Sequence, residues 1–217
     1  MTRAIGLMTI AMTMDRRRHD DERQHADDAT GRLFFEVTKG FDVEDTTTVF
    51  PFLNGNDAKS GLPRGLPESF SMAIGVIHAE RASKIHVHPV VTQVTMVLDG
   101  VLEVRLGGPS IPRLRTIQLA QNQAVLVRPG TFLQLVNESL FPCRTLYVVG
   151  PAYVADIDDE GEVIYEDAVT LDESWEELEA QDWRPAKLRD ADVTCERREA
   201  ALSRVRERQA AYERHDS

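Results

Sequence analysis

The run Ile85-His86-Val87-His88-Pro89-Val90-Val91-Thr92-Gln93-Val94-Thr95-Met96-Val97-Leu98-Asp99-Gly100 decides how this chain is read. Residues i and i+2 of a β-strand point to one face, about 6–7 Å apart along the strand, so His86 and His88 stand side by side. Pro89 to Thr92 makes a short turn, and Gln93 returns to the same space at the head of an alternating run that stops at Asp99-Gly100, a hairpin signal. Two imidazoles and an amide converging in this way are donors that a sheet can offer to a metal.

Working outward, Asn122 to Asn137 supplies a second pattern: a turn at Asn122, an apolar run Ala124-Val125-Leu126-Val127, Pro129-Gly130, and then Phe132-Leu133-Gln134-Leu135-Val136-Asn137. Asn122 suits a turn because asparagine tolerates the left-handed conformation. Together, the His-x-His pair, Gln93, Gly100, Gly130 and Asn137 resemble in their spacing the two motifs of the cupin family. The resemblance covers residues 69–150. It implies an all-β fold, a cupin-type antiparallel β-barrel (double-stranded β-helix or jelly roll), here with a C-terminal helical extension. Four positions depart from the family pattern: Asn122 replaces a glycine, Pro129 sits one place later than usual, directly before Gly130, Gln93 stands where glutamate is usual, and Leu133 occupies the place of a metal-binding histidine.

Composition bounds the rest. With 217 residues the chain is long enough for one well-buried barrel plus extensions. A formal net charge of −11 argues against nucleic acid, whose phosphates it would repel. Cys143 and Cys195 form neither a disulfide framework nor a zinc-ligand spacing. The mildly apolar first 14 residues precede Arg16-Arg17-Arg18 rather than follow a basic segment, so they make a poor signal peptide and are too short to span a bilayer. A cytoplasmic protein without membrane contact is expected.

The chain divides into a polar, disordered tail over 1–30, a barrel over 31–155, and an acidic hairpin with helices over 156–217. Strands are expected at Leu33 to Val37, Thr46 to Leu53, Ser69 to His78, Ile85 to His88, Gln93 to Leu98, Val101 to Leu106, Leu114 to Leu119, Ala124 to Val127, Phe132 to Val136 and Arg144 to Val149. A Gly/Pro-rich loop spans Asn54 to Glu68. Ser174 and Glu177 form a capping box for a helix over Trp175 to Gln181. Lys187 to Arg214 reads as a helix with a thin apolar stripe of Leu188, Val193, Ala201 and Val205, able to dock on the barrel, to pair with another subunit or to fray, and expected to stand apart from the chemistry.

The candidate metal ligands are His86, His88 and Gln93, with His78 as a further candidate if the face of Met72, Ile74 and Val76 is the inward one. A divalent transition metal is expected: Fe, Zn, Ni, Cu or Mn, since imidazole suits several of these. Neutral Gln93 leaves such a site more positive than glutamate would, which favours an anionic ligand, and it removes a general base. The pocket should be apolar, lined by Met72, Met96, Leu126, Leu133 and Leu135 with Tyr147. Three functions stay open. One is a metal-dependent enzyme acting on a small oxygenated organic molecule, by dioxygenase-like oxidation or by metal-assisted cyclisation or isomerisation. Another is a non-catalytic small-molecule sensor or carrier with a vestigial metal site. The third makes the barrel an oligomerisation module, with the charged C-terminal helix mediating contacts. Cupins commonly dimerise, so the resemblance implies a homodimer in each case.

Overall fold

The computed structural model describes residues 40–43, 45–56, 68–158, 160, 163–190 and 194–215. The first expected strand, most of the Gly/Pro-rich loop and the N-terminal tail lie outside them. Strands β1 (Phe41–Asp42), β2 (Thr48–Leu53), β3 (Ser71–Ile77), β6 (Thr92–Asp99), β9 (Ala124–Val127) and β11 (Cys143–Gly150) form one sheet, in the order β1-β2-β3-β11-β6-β9. A second sheet contains β5 (Ile85–Val87), β7 (Val101–Gly108), β8 (Ile111–Ala120), β10 (Phe132–Asn137) and β14 (Val169–Leu171), ordered β14-β5-β10-β7-β8, while β4 (Arg81–Ala82) also pairs β10. Every pairing is antiparallel.

Alternation explains the two-sheet arrangement. Along β6, Gln93, Thr95 and Val97 are buried; along β7, Leu102, Val104 and Leu106 are; along β11, Cys143, Thr145, Tyr147 and Val149 are. These faces meet between the sheets with Ile77, Leu119, Val127, Leu133 and Leu135 in one apolar cluster. Each such aliphatic side chain contributes roughly 1.5–3 kcal/mol on burial. Asn122 adopts φ +66°, the left-handed turn expected of it.

Strand β5 is buried on both faces, and this orients the histidines. Ile85 and Val87 join Phe132, Leu171, Leu178 and Trp183 in a second cluster on the far face of the sheet, so His86 must point between the sheets. Helix α1 (Trp175–Ala180), closed by the Ser174/Glu177 capping box, supplies Leu178 to that cluster. Gly107 makes the cover possible: a Cβ there would lie 2.6 Å from the Trp183 ring.

The barrel extends past the expected boundary at residue 155. Strand β14 pairs β5 with Thr170 opposite His86, so the second sheet is completed from the C-terminal region. Between them, β12 (Ala155–Ile157) and β13 (Val163–Glu166) form the acidic hairpin. The long C-terminal helical segment is divided into α2 (Ala186–Asp190) and α3 (Thr194–His215). Helix α3 docks on its own chain: Ala201 and Leu202 pack on Val154 and Tyr165. Its arginines lie on carboxylates, Arg204 at 2.6 Å from Asp156, with Arg208 on the same group and Arg206 at 2.9 Å from Glu68. Burial opposes ionisation of Asp156, but hydrogen bonds from Arg208 and Arg204 hold its carboxyl below the usual range. Among the described residues no helix is long and apolar enough to cross a membrane.

Candidate metal and small-molecule site in the barrel

His86 and His88 face each other edge to face with ring centroids 5.3 Å apart, and both are almost fully buried. Backbone carbonyls hold each Nδ1. His86 Nδ1 lies 3.1 Å from the Lys84 carbonyl and His88 Nδ1 lies 2.9 Å from the Asp167 carbonyl. A ring donating from Nδ1 keeps its Nε2 lone pair, the tautomer a metal-binding histidine uses. His88 Nε2 is buried and has no hydrogen-bond partner. Burial above all, and then the neighbouring His86, push the His88 imidazole down to about 3, against the pull of the Asp167 carbonyl and of the adjacent Gln93 side chain. It is a neutral base at pH 7.

The support behind His88 comes from well outside its strand. The Asp167 carboxylate accepts hydrogen bonds from Val154 N (2.9 Å), Tyr165 Oη (2.7 Å) and Arg198 Nε (3.0 Å). Arg198, buried on α3, also donates from Nη2 to the Ala152 carbonyl at 2.8 Å. The Pro129-Gly130 turn secures the other side, with Gly130 N donating to the His88 carbonyl at 2.9 Å. The C-terminal helix, expected to stand apart from the chemistry, is thus tied through Asp167 to one of the two imidazoles.

A cavity of about 390 Å³ opens beside these rings. His86, His88 and Gln93 all line it, as do Met72, Leu135 and Tyr147. Gln93 donates from Nε2 to Thr95 Oγ1 at 3.0 Å. The ring of Tyr147 lies over Gly75, where a Cβ would come within 2.3 Å of it, so glycine is required for the phenol to stay in the cavity wall. Its hydroxyl is buried without a hydrogen bond, and burial raises its titration far above that of free tyrosine, although Thr145 pulls the other way.

Four expected residues are placed elsewhere. His78 is exposed, with Nε2 3.0 Å from Thr48 Oγ1, because the inward face of β3 is that of Ser71, Gly75 and Ile77. Met96 falls on the face of β6 opposite Gln93 and Thr95. Leu126 is 56% exposed, since its register partner is outward-facing Val94 while Val127 sits opposite Gln93. Leu133 is fully buried, but in the apolar core that adjoins the cavity. Its Cα is paired with that of His86 across β5 and β10.

Pattern reading did not find Asp45, Tyr153 and Glu166, which also line the cavity. Asp45 Oδ1 accepts from Thr47 N and Oγ1 at 2.9 and 2.7 Å, which leaves Oδ2 3.6 Å from His86 Nδ1. The Asp45-x-Thr47 turn is visible in sequence as an Asx turn, but nothing in it indicates that the loop before β2 reaches the histidines. Tyr153 Oη donates to Glu166 at 2.5 Å.

Strand β5, with its two histidines, and strand β10, with Leu133 in register against His86, are neighbours in a two-sheet antiparallel barrel. The fold is that of a cupin. No protein-family model matches the chain, and no curated protein matches it. Among solved structures it is similar to oxalate oxidase: at 19% identity and TM-score 0.47 to the recombinant enzyme in complex with glycolate, over 59% of this chain and 63% of that one. A second oxalate oxidase structure matches at 20% identity and TM-score 0.46, over 54% of this chain and 59% of that one. The chain thus spans less than two thirds of either oxidase. An uncharacterized conserved protein with a double-stranded β-helix domain from Klebsiella pneumoniae matches at 17% identity and TM-score 0.42, over 56% of this chain and 91% of that one.

Of the three expected donors two are imidazoles, His86 and His88, each with Nδ1 on a backbone carbonyl. The third position is an amide, and among the described residues no group of three or more His, Cys, Asp or Glu side chains converges on one point.

Proposed function

We propose that this cupin is a metal-dependent enzyme acting on a small, partly apolar, oxygenated organic molecule taken into the barrel cavity. The observation that carries this reading is the pair of imidazoles held by carbonyls at Nδ1, with a buried, unpartnered Nε2 on His88. A plain binding pocket gains nothing from a buried nitrogen without a partner, because leaving such a group unsatisfied costs stability. His86 and His88 would hold the metal, with Gln93 as a weak third ligand through its amide oxygen. A divalent ion there supplies Lewis-acid polarisation of a substrate oxygen.

The chain's own residues supply the rest. The carbonyls of Lys84 and Asp167 fix the ring tautomers, Tyr147 offers a neutral O–H donor, and apolar walls exclude water. Asp45, with Oδ2 facing away from the Thr47 clasp, provides the proton acceptor that Gln93 cannot.

The competing reading, a non-catalytic small-molecule binder, is favoured by Leu133 beside His86 and by Gln93 being engaged with Thr95. Metal content decides between them. Tag-free protein offered Fe(II), Zn(II), Ni(II) or Mn(II) without oxygen should carry close to one metal per chain by mass spectrometry, and the His86→Ala/His88→Ala variant almost none. A parent that stays empty would leave the binder as the function.

A further inference from the structure

The cavity stops where the packed core begins, and few side chains stand on that boundary. Among the described residues, Leu135 and Tyr147 are the buried members of the apolar cluster that also line the cavity, with partly buried Val49 and Ala73 beside them. The rim lies elsewhere: Phe41 and Val163 line the cavity while exposed to solvent.

Tyr147 holds its place because of a glycine. Its register partner on β3 is Ala73, yet its ring leans two residues further, over Gly75, whose own partner is Thr145. The lean carries the ring toward Ile77 and Cys143, the packed end of the barrel. A Cβ on Gly75 would fall on Cε2, Cζ and Oη of the phenol. The Gly75 backbone has no positive φ that would call for glycine, so the close approach of the ring is the reason for the residue. Beyond the ring Ile77, Val97 and Cys143 are buried and packed together, and an interior at crystal-like density does not yield. The space open to a ring lifted off Gly75 is the hollow.

We propose that Tyr147, seated on Gly75, is the specificity-determining residue of the cavity: its ring is the floor that fixes how long an apolar body a ligand can bring in beside the histidines. The substrate class is then a molecule with a polar head and a short apolar chain or single ring, in keeping with a space of about 390 Å³. The proposal rests on the reading of the cavity as a small-molecule site and deepens it by naming what limits the substrate. Metal plays no part in it.

The test titrates full-length protein, its metal content measured first, with the straight-chain primary alcohols from 1-butanol to 1-decanol. These uncharged probes differ in length alone, and calorimetry and ligand-observed NMR follow their binding. Affinity should rise about fourfold per methylene while the chain fills the cavity, the transfer value of one CH₂, and then break to a plateau. Tyr147→Val should move the break to alcohols about two to four carbons longer, the number of methylenes that matches one aromatic side chain in transfer free energy. Gly75→Ala should move it the other way, to shorter chains, which keeps the test decisive if Tyr147→Val does not fold. Tyr147→Phe keeps the ring and should leave the break in place, whatever happens to the level of the series. A break unmoved in folded Tyr147→Val or folded Gly75→Ala, a break that moves with Tyr147→Phe, a series without a break, or no binding at all would each overturn the proposal. Breaks that move as stated in a protein that never holds metal would sink the enzyme reading alone. A metal-bearing protein whose break ignores Tyr147→Val would sink this proposal alone.

Discussion

The two ends of the barrel interior are built from the same strands and do opposite things. Toward Asp99 and Cys143 the inward positions are Ile77, Val97, Leu102, Val104 and Cys143, packed into a dry cluster. There the Cys143 thiol is pushed up to about 11, by burial and then by Asp99. Two to four residues back along β6 and four residues on along antiparallel β11 the same faces carry Thr95, Gln93 and Tyr147, and the space between the sheets is hollow. The filled end is held by its own side chains. The hollow end is held from outside, by backbone carbonyls behind the histidines and by an arginine from the last helix. In such a fold, stability and function are separable along one strand, and each can be tested alone.

Arg198→Ala should show the largest effect, because it strips the partner from a buried carboxylate at Asp167. Breaking one side of a buried pair costs about 3–5 kcal/mol, to be read from urea denaturation. The same variant should loosen His88, whose Nδ1 rests on the Asp167 carbonyl. Imidazole ¹⁵N shifts report this as a mixture of tautomers in place of one. Unchanged His88 shifts in a destabilised variant would mean that α3 braces the fold without setting the site, and the contrast between the two ends would lose its basis.

Leu102→Ala tests the filled end. Leu102 is fully buried, so the cavity left behind should cost about 2–5 kcal/mol. Metal uptake of the folded fraction should be unchanged. If it fell together with stability, the two ends would be one cooperative unit.

The sequence displays these ends unequally, for a physical reason. The barrel is legible because alternation, Asp99-Gly100, Asn122 and the His-x-His spacing are local signals, and β6 to β11 follow them to within three residues at each end. The inward direction of His86 and His88 is legible for the same reason. Facing is not local where a strand can bury either side: Met72, Ile74 and Val76 look like an inward stripe, yet of these only Met72 lines the cavity, while β3 turns Ser71, Gly75 and Ile77 inward and leaves His78 in solvent. Asp45, Tyr153 and Glu166 reach the cavity from loops and a hairpin whose positions depend on packing. Arg198 was hidden among the charges of an arginine-rich helix, where only the tertiary contact with Asp167 distinguishes it from its solvent-facing neighbours.

Acid provides the finest probe of the hollow end. In the metal-free protein His88 titrates near 3, below the 6.5 of an unfolded histidine, because burial disfavours its charge. The unfolded chain therefore binds the extra proton over this window, so stability is highest above pH 6.5 and falls as pH drops toward 3. Between pH 7.5 and pH 5 the loss is set almost entirely by the unfolded value and amounts to about 2 kcal/mol. Other ionisable groups, His86 5.3 Å away and the carboxylates around the cavity, lie close by, so the informative quantity is a difference. The stability of the parent minus that of His88→Gln, both free of metal, should decline by about 2 kcal/mol across that interval. A flat difference would mean that His88 takes up its proton in the folded state, with water or a counter-charge at Nε2. The hollow end would then be a wet, polar pocket, and the unpartnered nitrogen on which the metal reading depends would already be satisfied.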